Sequence, residues 1–377
     1  MPTAMSQAAH PPARQMGERE LIWMMAMLMA LQAFGIDAML PALGVMAEEL
    51  GAAGNDRQLV IGSYFFGSAI GAFFPGAFAD RFGRRPVLAA ALGAYVLLSA
   101  ACALITDFDV LLAVRFVQGL ACAGLSVVPA AIVRDRVGGD KMARLMSLIM
   151  MIFLVVPLAA PAIGQVIMLA AGWRSIFGIM VIVGILVGSW VWGRLPESLV
   201  AENRQDIVPA VILKNMAKAL RVRGSIGYVI GSGLVFGSLF GFLNSSQQLI
   251  GEAFGMGEWF GVVFGVAVLG MVIASFANSR IVERFGARRV SQTALFGFLG
   301  IAATMVWSAG RPDQTLAELI ILICLSNAMM GFIGANFASI AMQPFGQIAG
   351  AASSAHSVVR LGLGSLLGAY ILSLIHI

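Results

Sequence analysis

The sequence predicts an all-α polytopic membrane protein made of two related halves. Of its 377 residues, 59% are hydrophobic and 11% are charged, and the mean hydropathy is +0.90. Soluble domains carry about a quarter of charged residues, and a membrane-spanning helix needs about 20 mostly apolar ones. Charge-free stretches of that length recur along the whole chain. A lipid bilayer is therefore the expected environment of most of the protein.

Apolar runs bounded by charged residues, glycine or proline predict helices that we number 1 to 11. The first six are expected at about 21–42, 58–79, 87–106, 110–133, 145–170 and 174–194, and the others at about 226–250, 258–279, 290–309, 317–342 and from 348 onward. The predicted organisation is a cytoplasmic tail (1–20), a six-helix bundle (21–194), a linker (195–225) and a second bundle (226–377). Because two repeated halves have equal helix numbers, we expect the second bundle to lack its last helix through C-terminal truncation.

The distribution of basic residues predicts the orientation. Of the 24 Lys and Arg residues, only Arg57, Arg174 and Arg311 fall in loops on one side, and Arg115 and Arg360 fall inside helices. The rest lie on the side of the N-terminus, which the positive-inside rule makes cytoplasmic. The same rule explains the net charge of +5 without nucleic-acid binding. The linker is expected to contain an amphipathic helix on the membrane surface, with Met216 and Ala219 opposite Lys214 and Lys218.

A charged motif occurs once in each half. The stretch GAFADRFGRRPV (76–87) joins helices 2 and 3, and VERFGARRV, which begins at Val282, joins helices 8 and 9 at a constant offset. One explanation of Arg84 and Arg85 is topological: positive charges keep the loop in the cytoplasm. Topology requires neither the acid nor the glycines, so we expect a conformational-switch loop, whose residues are Gly76, Asp80, Arg81, Gly83, Arg84, Arg85, Glu283 and Arg284.

The loop GAFADRFGRRPV resembles the signature loop of the major facilitator superfamily. GIDAMLPAL (35–43), RFVQG (115–119), LAAPAIGQVI (158–167), GWRSIF (172–177) and AGAASS (349–354) resemble, in order, motifs of its Bcr/CflA-type drug-resistance proton antiporters. The resemblance implies the major facilitator fold. It also implies that Asp80, Arg81 and Arg85 form a charge relay with the far half. Ala287 replaces Arg84 in the second copy of the loop, which puts the role of that copy in doubt.

Helix 5 is a candidate gate. Pro157, Pro161 and Gly164 lie close together in its sequence, and such residues let helices bend and approach closely. Small residues that serve only helix packing are the alternative explanation. A bent helix 5 is expected to seal the outer end in the inward-facing state.

Asp37 and Arg115 are the candidate proton-coupling residues, because charges inside membrane spans are costly and usually functional. Helix 1 runs outward and helix 4 runs inward, so both residues are expected about 8 Å below the outer surface. Equal depth permits an ion pair or a hydrogen-bonded network. A purely structural bridge, or an Asp37 that reaches the outer interface, is the alternative.

Other polar residues inside the spans are weaker candidates. Helix-to-helix hydrogen bonding is an equal alternative for those of helices 7 and 10. The expected substrate cavity residues are Tyr64, Gln118, Asn244, Gln247 and Asn336, with His356 and Arg360 as secondary coupling candidates.

These patterns predict a secondary active transporter and not an enzyme, because nucleophile, metal-cluster and nucleotide-loop motifs are missing from the sequence. The first hypothesis is proton-driven efflux of small amphipathic compounds, such as antibiotics, across a bacterial inner membrane. The alternative is a proton-coupled transporter of a specific metabolite, in either direction. We expect a monomer whose partners are a small-molecule substrate, protons and the bilayer. No metal and no cofactor beyond the proton gradient is expected.

Overall fold

The computed structural model describes residues 16–52, 54–137, 145–146, 148–149, 152–153, 155–199, 202, 204 and 209–374. The regular elements of this part of the chain are all helices, as predicted for an all-α fold. Most of the predicted tail, part of the linker, the beginning of helix 5 and residues 375–377 lie outside the described residues. The truncation stays a prediction.

The observed helices follow the predicted order and keep the predicted numbers. In the first half they are Glu18–Asp37 continued by Leu43–Glu49 (helix 1), Leu59–Gly71 with Pro75–Phe82 (2), Arg84–Leu104 (3), Phe108–Cys122 with Gly124–Arg136 (4), Val155–Ala171 (5) and Arg174–Arg194 (6). After the linker helix Pro209–Leu220 come Arg223–Gln247 (7), Phe260–Phe285 (8), Ala287–Ala309 (9), Leu316–Met342 (10) and Ala349–Leu374 (11). Eight described helices are long and apolar enough to cross a membrane, or nine when the two segments of helix 2 count as one span.

The internal repeat is visible in the backbone of the two signature loops. Helix 2 ends at Gly83 with φ 102°, and helix 8 ends at Gly286 with φ 78°. A side chain at these positive φ values is disfavoured, and the next helix starts at the following residue in both places. The glycines therefore make equivalent tight turns in the two halves.

Each half is held together by close helix pairs. Helix 2 packs on helix 4 and helix 3 on helix 6, while helix 7 packs on helix 11 and helix 8 on helix 10. Large apolar side chains remain exposed on helices 3, 6 and 9, among them Leu104 (80%), Leu186 (64%) and Val306 (76%). An apolar surface of this kind fits a bilayer.

The two halves meet mainly along helices 2 and 11 and along helices 5 and 8. Near the middle of the first contact, the Phe65 ring lies 4.3 Å from the Phe240 ring centroid in an edge-on arrangement. In the linker helix, Met216 and Ala219 pack against helix 11 at Ala352. The location of this helix on the membrane surface stays a prediction.

Candidate functional site

Arg115 of helix 4 is fully buried at the centre of a polar cluster in the first half. Its guanidinium donates to the Gly35 carbonyl oxygen at 3.0 Å, to Gln118 Oε1 at 2.7 Å and to the Val60 carbonyl oxygen at 3.4 Å. It also lies over the Tyr64 ring, 4.4 Å from the centroid. Carbonyl oxygens and an aromatic ring from helices 1, 2 and 4 therefore hold this charge in place of a carboxylate.

Two of the predicted cavity residues belong to this cluster. Tyr64 and Gln118 are both fully buried, and Gln118 Nε2 donates to Ser99 Oγ at 2.9 Å. Helix 2 approaches helix 4 so closely here that a Cβ on Gly119 would lie 2.0 Å from the Tyr64 carbonyl oxygen. The structure thus uses both side chains to hold Arg115, and neither lines an open cavity.

Asp37 ends the first segment of helix 1 and is only 5% exposed. Of the two arrangements that equal depth permits, an ion pair with Arg115 or a hydrogen-bonded network, the ion pair is not formed between these described residues. Within the described residues, the Asp37 carboxyl has no ion pair and no hydrogen bond. Arg115 does reach helix 1, but it takes the carbonyl oxygen of Gly35, two residues earlier, because that acceptor faces helix 4.

The polar residues of the second half divide into two groups. Asn336 was expected in the cavity, but its Nδ2 donates to Asn278 Oδ1 at 2.8 Å and to the Phe332 carbonyl oxygen at 2.8 Å. It therefore links helix 10 to helix 8, in agreement with the alternative of helix-to-helix hydrogen bonding. In contrast, both amide atoms of Asn244 and the Gln247 Oε1 atom on helix 7 are buried without a hydrogen-bond partner.

His356 and Arg360 lie one turn apart on helix 11. His356 Nε2 and Arg360 Nε are buried without a hydrogen-bond partner. The Arg360 guanidinium lies 5.0 Å from the centroid of the Phe236 ring on helix 7. The polar side chains of His356 and Arg360 on helix 11 and of Asn244 on helix 7 therefore have donors or acceptors that no described residue satisfies.

The signature loop forms a network inside the first half. Arg84 is 3% exposed, and it donates to Asp80 Oδ1 at 2.5 Å and to Asp135 Oδ2 at 2.8 Å. In this structure the Asp80 carboxylate is bound by Arg84 of its own half. The burial of Arg84 agrees better with the expected switch loop than with the topogenic alternative, and the charge relay with the far half stays a prediction.

Glu197, just after helix 6, also belongs to this network and binds the start of helix 3. Its carboxylate accepts the backbone N–H groups of Arg84 at 2.9 Å and Arg85 at 3.0 Å, which begin helix 3. Burial acts to raise the pKa of Glu197, but the backbone donors outweigh it, so its pKa lies below the usual range. The Arg85 guanidinium lies 4.4 Å from the Trp192 ring centroid of helix 6.

The sequence interpretation missed Asp135 and Glu197. Both follow or end a helix on the same side of the protein as the signature loop, and the sequence signal available for them was an acid in the stretches VRDR and LPES beside a strongly basic loop. Opposite charges on one membrane face suggest pairing, but they do not identify the partners.

The second copy of the loop is built differently. Glu283 and Arg284 are exposed, and Ala287 occupies the position that corresponds to Arg84. Glu283 makes no ion pair with any described residue. Without an arginine at 287, this copy keeps the tight turn but not the network.

Helix 5 joins helix 1 to helix 8 near the outer end. A Cβ on Gly164 would lie 1.9 Å from the Ala38 carbonyl oxygen, so only glycine permits this contact. The next residue, Gln165, donates to the carbonyl oxygens of Gly257 at 2.7 Å and Glu258 at 2.6 Å, and it accepts the Gly261 N–H at 2.6 Å. Pro161 lies inside the helix, and the side chain of Pro157 lies outside the described residues.

A second polar contact joins the halves on the same side. Arg57, before helix 2, forms an ion pair with Glu252, at the end of helix 7, at 2.5 Å. Beside it, Gln58 Nε2 donates to Gln248 Oε1 at 3.2 Å. On the side that the sequence predicts to be the outer one, Gln165 and Arg57 thus each link the two halves.

Comparisons with known proteins agree with this architecture. A bicyclomycin resistance protein homolog of Haemophilus influenzae is 28% identical over 351 residues, which cover 93% of this chain and 88% of the relative. The multidrug resistance protein MdtL of Escherichia coli O157:H7 is 29% identical over 343 residues, which cover 90% of this chain and 85% of MdtL. The uncharacterized MFS-type transporter YdgK of Bacillus subtilis is 30% identical over 354 residues, with 92% and 87% covered.

Solved structures share the fold. The D-xylose-proton symporter superposes with a TM-score of 0.72 at 16% identity, covering 94% of this chain and 90% of the symporter. The human organic anion transporter MFSD10 gives 0.64 at 18% identity, with 95% of each chain covered. The family model described as Major Facilitator Superfamily matches residues 23–369. The chain is a multi-pass membrane transporter that belongs to the major facilitator superfamily and resembles its Bcr/CflA-type members.

Proposed function

We propose that the protein exports small amphipathic compounds across the bacterial inner membrane in exchange for protons. The observation that carries this proposal is the Asp37 carboxyl, which is 5% exposed and has no hydrogen bond or ion pair with a described residue. A carboxyl that is buried in a membrane without a fixed cation binds a proton readily, and it releases that proton when a cation or water approaches. Asp37 is therefore the proton carrier of the cycle.

The outer contacts represent one state of an alternating-access cycle. Gln165 and the Arg57–Glu252 pair close the outer ends of the two halves. Opening toward the outside requires both contacts to break, since each of them joins one half to the other. The N-terminus is cytoplasmic in this scheme, the protein acts as a monomer, and the proton gradient supplies the energy without a bound cofactor.

A chain of contacts connects the proton carrier to the outer closure. Asp37 is followed by Ala38, where helix 1 is interrupted before Leu40–Ala42. Gly164 of helix 5 is in close contact with the Ala38 carbonyl oxygen, and Gln165 holds helix 8. A change in the charge of Asp37 that moves the break in helix 1 therefore also moves the part of helix 5 that holds helix 8.

The substrate class rests on the relatives. Their printed names include a bicyclomycin resistance protein homolog and multidrug resistance proteins, which supports export of antibiotics by this chain. The aromatic contact of Phe65 with Phe236 and Phe240 between the halves offers an apolar surface to such compounds. Protons are the coupling ion because Asp37 has a single carboxyl and no second acid beside it for a metal cation.

The test uses an efflux-deficient bacterial host that expresses the full chain or its Asp37→Asn variant. A panel of antibiotics first identifies the compounds to which the chain gives resistance. Everted membrane vesicles then measure whether each compound collapses the proton gradient on addition. Resistance and proton release that both disappear in Asp37→Asn support the proposal. Uptake of a metabolite into whole cells, without resistance to any compound, would favour the importer instead.

A further inference from the structure

Arg360 is a cation in the middle of helix 11, and its guanidinium has no oxygen acceptor among the described residues. It lies about 16 Å from the helix start at Ala349 and about 21 Å from the end at Leu374. Its guanidinium lies over the Phe236 ring at 5.0 Å and makes no hydrogen bond or ion pair with a described residue. A guanidinium enclosed by protein needs acceptors for its N–H groups. A ligand can supply them.

The acids of the second half are far from Arg360 along their helices. The second half has five acids, and each lies near a helix end or between two helices: Glu252, Glu258, Glu283, Asp313 and Glu318. The first half contributes Asp37, which makes no ion pair with Arg360. Lipid headgroups at either surface are beyond the reach of the Arg360 side chain at this depth.

Arg115 shows how this protein satisfies a buried arginine when no ligand is involved. Its guanidinium donates to the oxygens of Gly35, Val60 and Gln118, and it is fully buried. Arg360 has the same kind of aromatic support but no oxygen acceptor, and part of its surface remains accessible. The two arginines are therefore not equivalent, and only Arg360 is open to an incoming anion.

The surroundings of Arg360 describe the rest of the ligand. Gly364 and Gly368 follow it on the same face of helix 11, where a Cβ would meet the Phe236 and Phe240 rings at 2.5 and 2.1 Å. Phe65 of the first half contacts both rings. Two turns beyond Phe236, about 12 Å along helix 7, the buried Asn244 amide has no partner for either polar atom.

We propose that Arg360 is an anion-binding residue of the substrate path and that the protein binds aromatic carboxylates between its two halves, on the side of Phe236 and Phe240 that faces Phe65. The carboxylate accepts hydrogen bonds from the Arg360 guanidinium, the aromatic body packs on Phe236 and Phe240, and Asn244 binds a polar group at the far end. The inference names a substrate class for the proposed export, and the claim that these compounds are transported rests on that proposed function. Binding itself does not depend on proton coupling.

The test compares the binding of two biphenyl probes, one with an anionic carboxylate and one with an uncharged carboxamide at the same position. Biphenyl-4-carboxylate and biphenyl-4-carboxamide are bound to the full chain in phosphatidylcholine nanodiscs at pH 7, since that lipid presents no net anionic headgroup. We expect the wild-type protein to bind the carboxylate about tenfold or more tightly than the amide. Arg360→Gln reduces this preference to about twofold or less. Arg280→Gln is the matched control, because Arg280 lies over the Phe276 ring at 5.4 Å but is exposed near the end of helix 8.

A second measurement on the wild-type chain covers the case in which Arg360→Gln does not fold. Phenylglyoxal modifies arginine side chains, and peptide mass spectrometry follows the rate at Arg360. The carboxylate slows this modification and the amide does not, while the rate at Arg280 is unchanged by either. Equal binding of the two probes, an unchanged preference in a folded Arg360→Gln variant, or no protection of Arg360 overturns the inference. The efflux assay in everted vesicles tests the proposed function separately, because binding of the two probes does not require proton coupling.

Discussion

The Arg115 guanidinium donates to the Gly35 carbonyl oxygen at 3.0 Å, two residues before Asp37 in the same helix. Asp37 lies about 3 Å farther along the helix axis but about 200° around it, so exchange of the carbonyl oxygen for the carboxylate requires helix 1 to turn near its end. With Asp37 protonated, the carbonyl is the better partner, and with Asp37 ionised, the carboxylate attracts the cation. We therefore expect the position of Arg115 to depend on whether Asp37 carries a proton.

The Asp37→Asn variant is expected to lose proton-coupled export while it still inserts and folds. Asparagine keeps the size of the protonated acid but cannot release a proton. Everted vesicles measure the effect as proton release on addition of a resisted compound. Asp109→Asn, an exposed acid in the first turn of helix 4, serves as the control and keeps wild-type activity. Undiminished proton release in Asp37→Asn across a range of pH would refute the role of Asp37.

Replacement of Arg115 by alanine is expected to be at least as damaging. It leaves Gln118 Oε1 and the Gly35 carbonyl oxygen buried without their donor, which costs about 1–3 kcal/mol for each group. Arg115→Lys keeps the charge but not the branched geometry, so it retains only part of the transport. Thermal unfolding in detergent and drug export are both measured, with the exposed Arg289→Ala as control. Normal transport by Arg115→Ala would contradict the assignment.

Loss of the Gln165 side chain is expected to favour opening of the outer end. Gln165→Ala removes three hydrogen bonds to the first turn of helix 8 and the residues just before it, each with a net value of about 1 kcal/mol. Spin labels on Asp109→Cys and Asp313→Cys, both at exposed outer positions, report the separation of the halves in a background without the native cysteines. The distance distribution shifts to longer values in Gln165→Ala and not in the control Gln292→Ala. An unchanged distribution in Gln165→Ala would mean that this contact does not hold the closed state.

The sequence predicts the order and approximate bounds of the helices because burial in a bilayer imposes a local hydrophobic pattern on every span. It also predicts the repeated turn, since a glycine with positive φ has a local cause. The hydrogen-bond partners of buried side chains cannot be predicted in this way. Asn336 and Asn278 lie on separate helices, so no pattern within either helix identifies the pair.

The Asp37 and Arg115 prediction shows the same limit. Depth can be estimated from the position along each helix, and Arg115 does contact helix 1 near Asp37. Depth alone does not determine which of several acceptors at the same membrane depth binds the guanidinium. The backbone carbonyls of Gly35 and Val60 compete with the carboxylate, and the sequence carries no signal for the direction in which they point.

The Arg84→Ala variant is expected to be destabilised. Arg84 lies between the carboxylates of Asp80 and Asp135, whose side chains are 39% and 14% exposed, and its removal leaves two like charges facing each other. Because water reaches Asp80 and screens part of this repulsion, we expect a loss of about 1–3 kcal/mol. Thermal unfolding of the purified chain measures the loss. Arg288→Ala, in the second copy of the loop, is exposed and changes stability little. Equal stability losses in the two variants would contradict the buried network.

The stabilisation by Glu197 is expected to depend on pH. Burial acts to raise the pKa of its carboxyl, but backbone donors, among them the N–H groups of Arg84 and Arg85, hold it below the usual value of 4.5. A lowered pKa in the folded state means that folding favours the ionised form, so this stabilisation is complete above pH 4.5 and is lost as the pH falls through the lowered pKa. The melting temperature of the wild-type protein therefore exceeds that of Glu197→Gln most at pH 7, and the difference shrinks as the pH falls below 4.5. Glu283→Gln, the exposed acid of the second loop, gives no such pH-dependent difference. If Glu197→Gln lowers the melting temperature equally at neutral and acidic pH, the carboxylate charge is not what holds the start of helix 3 to the end of helix 6.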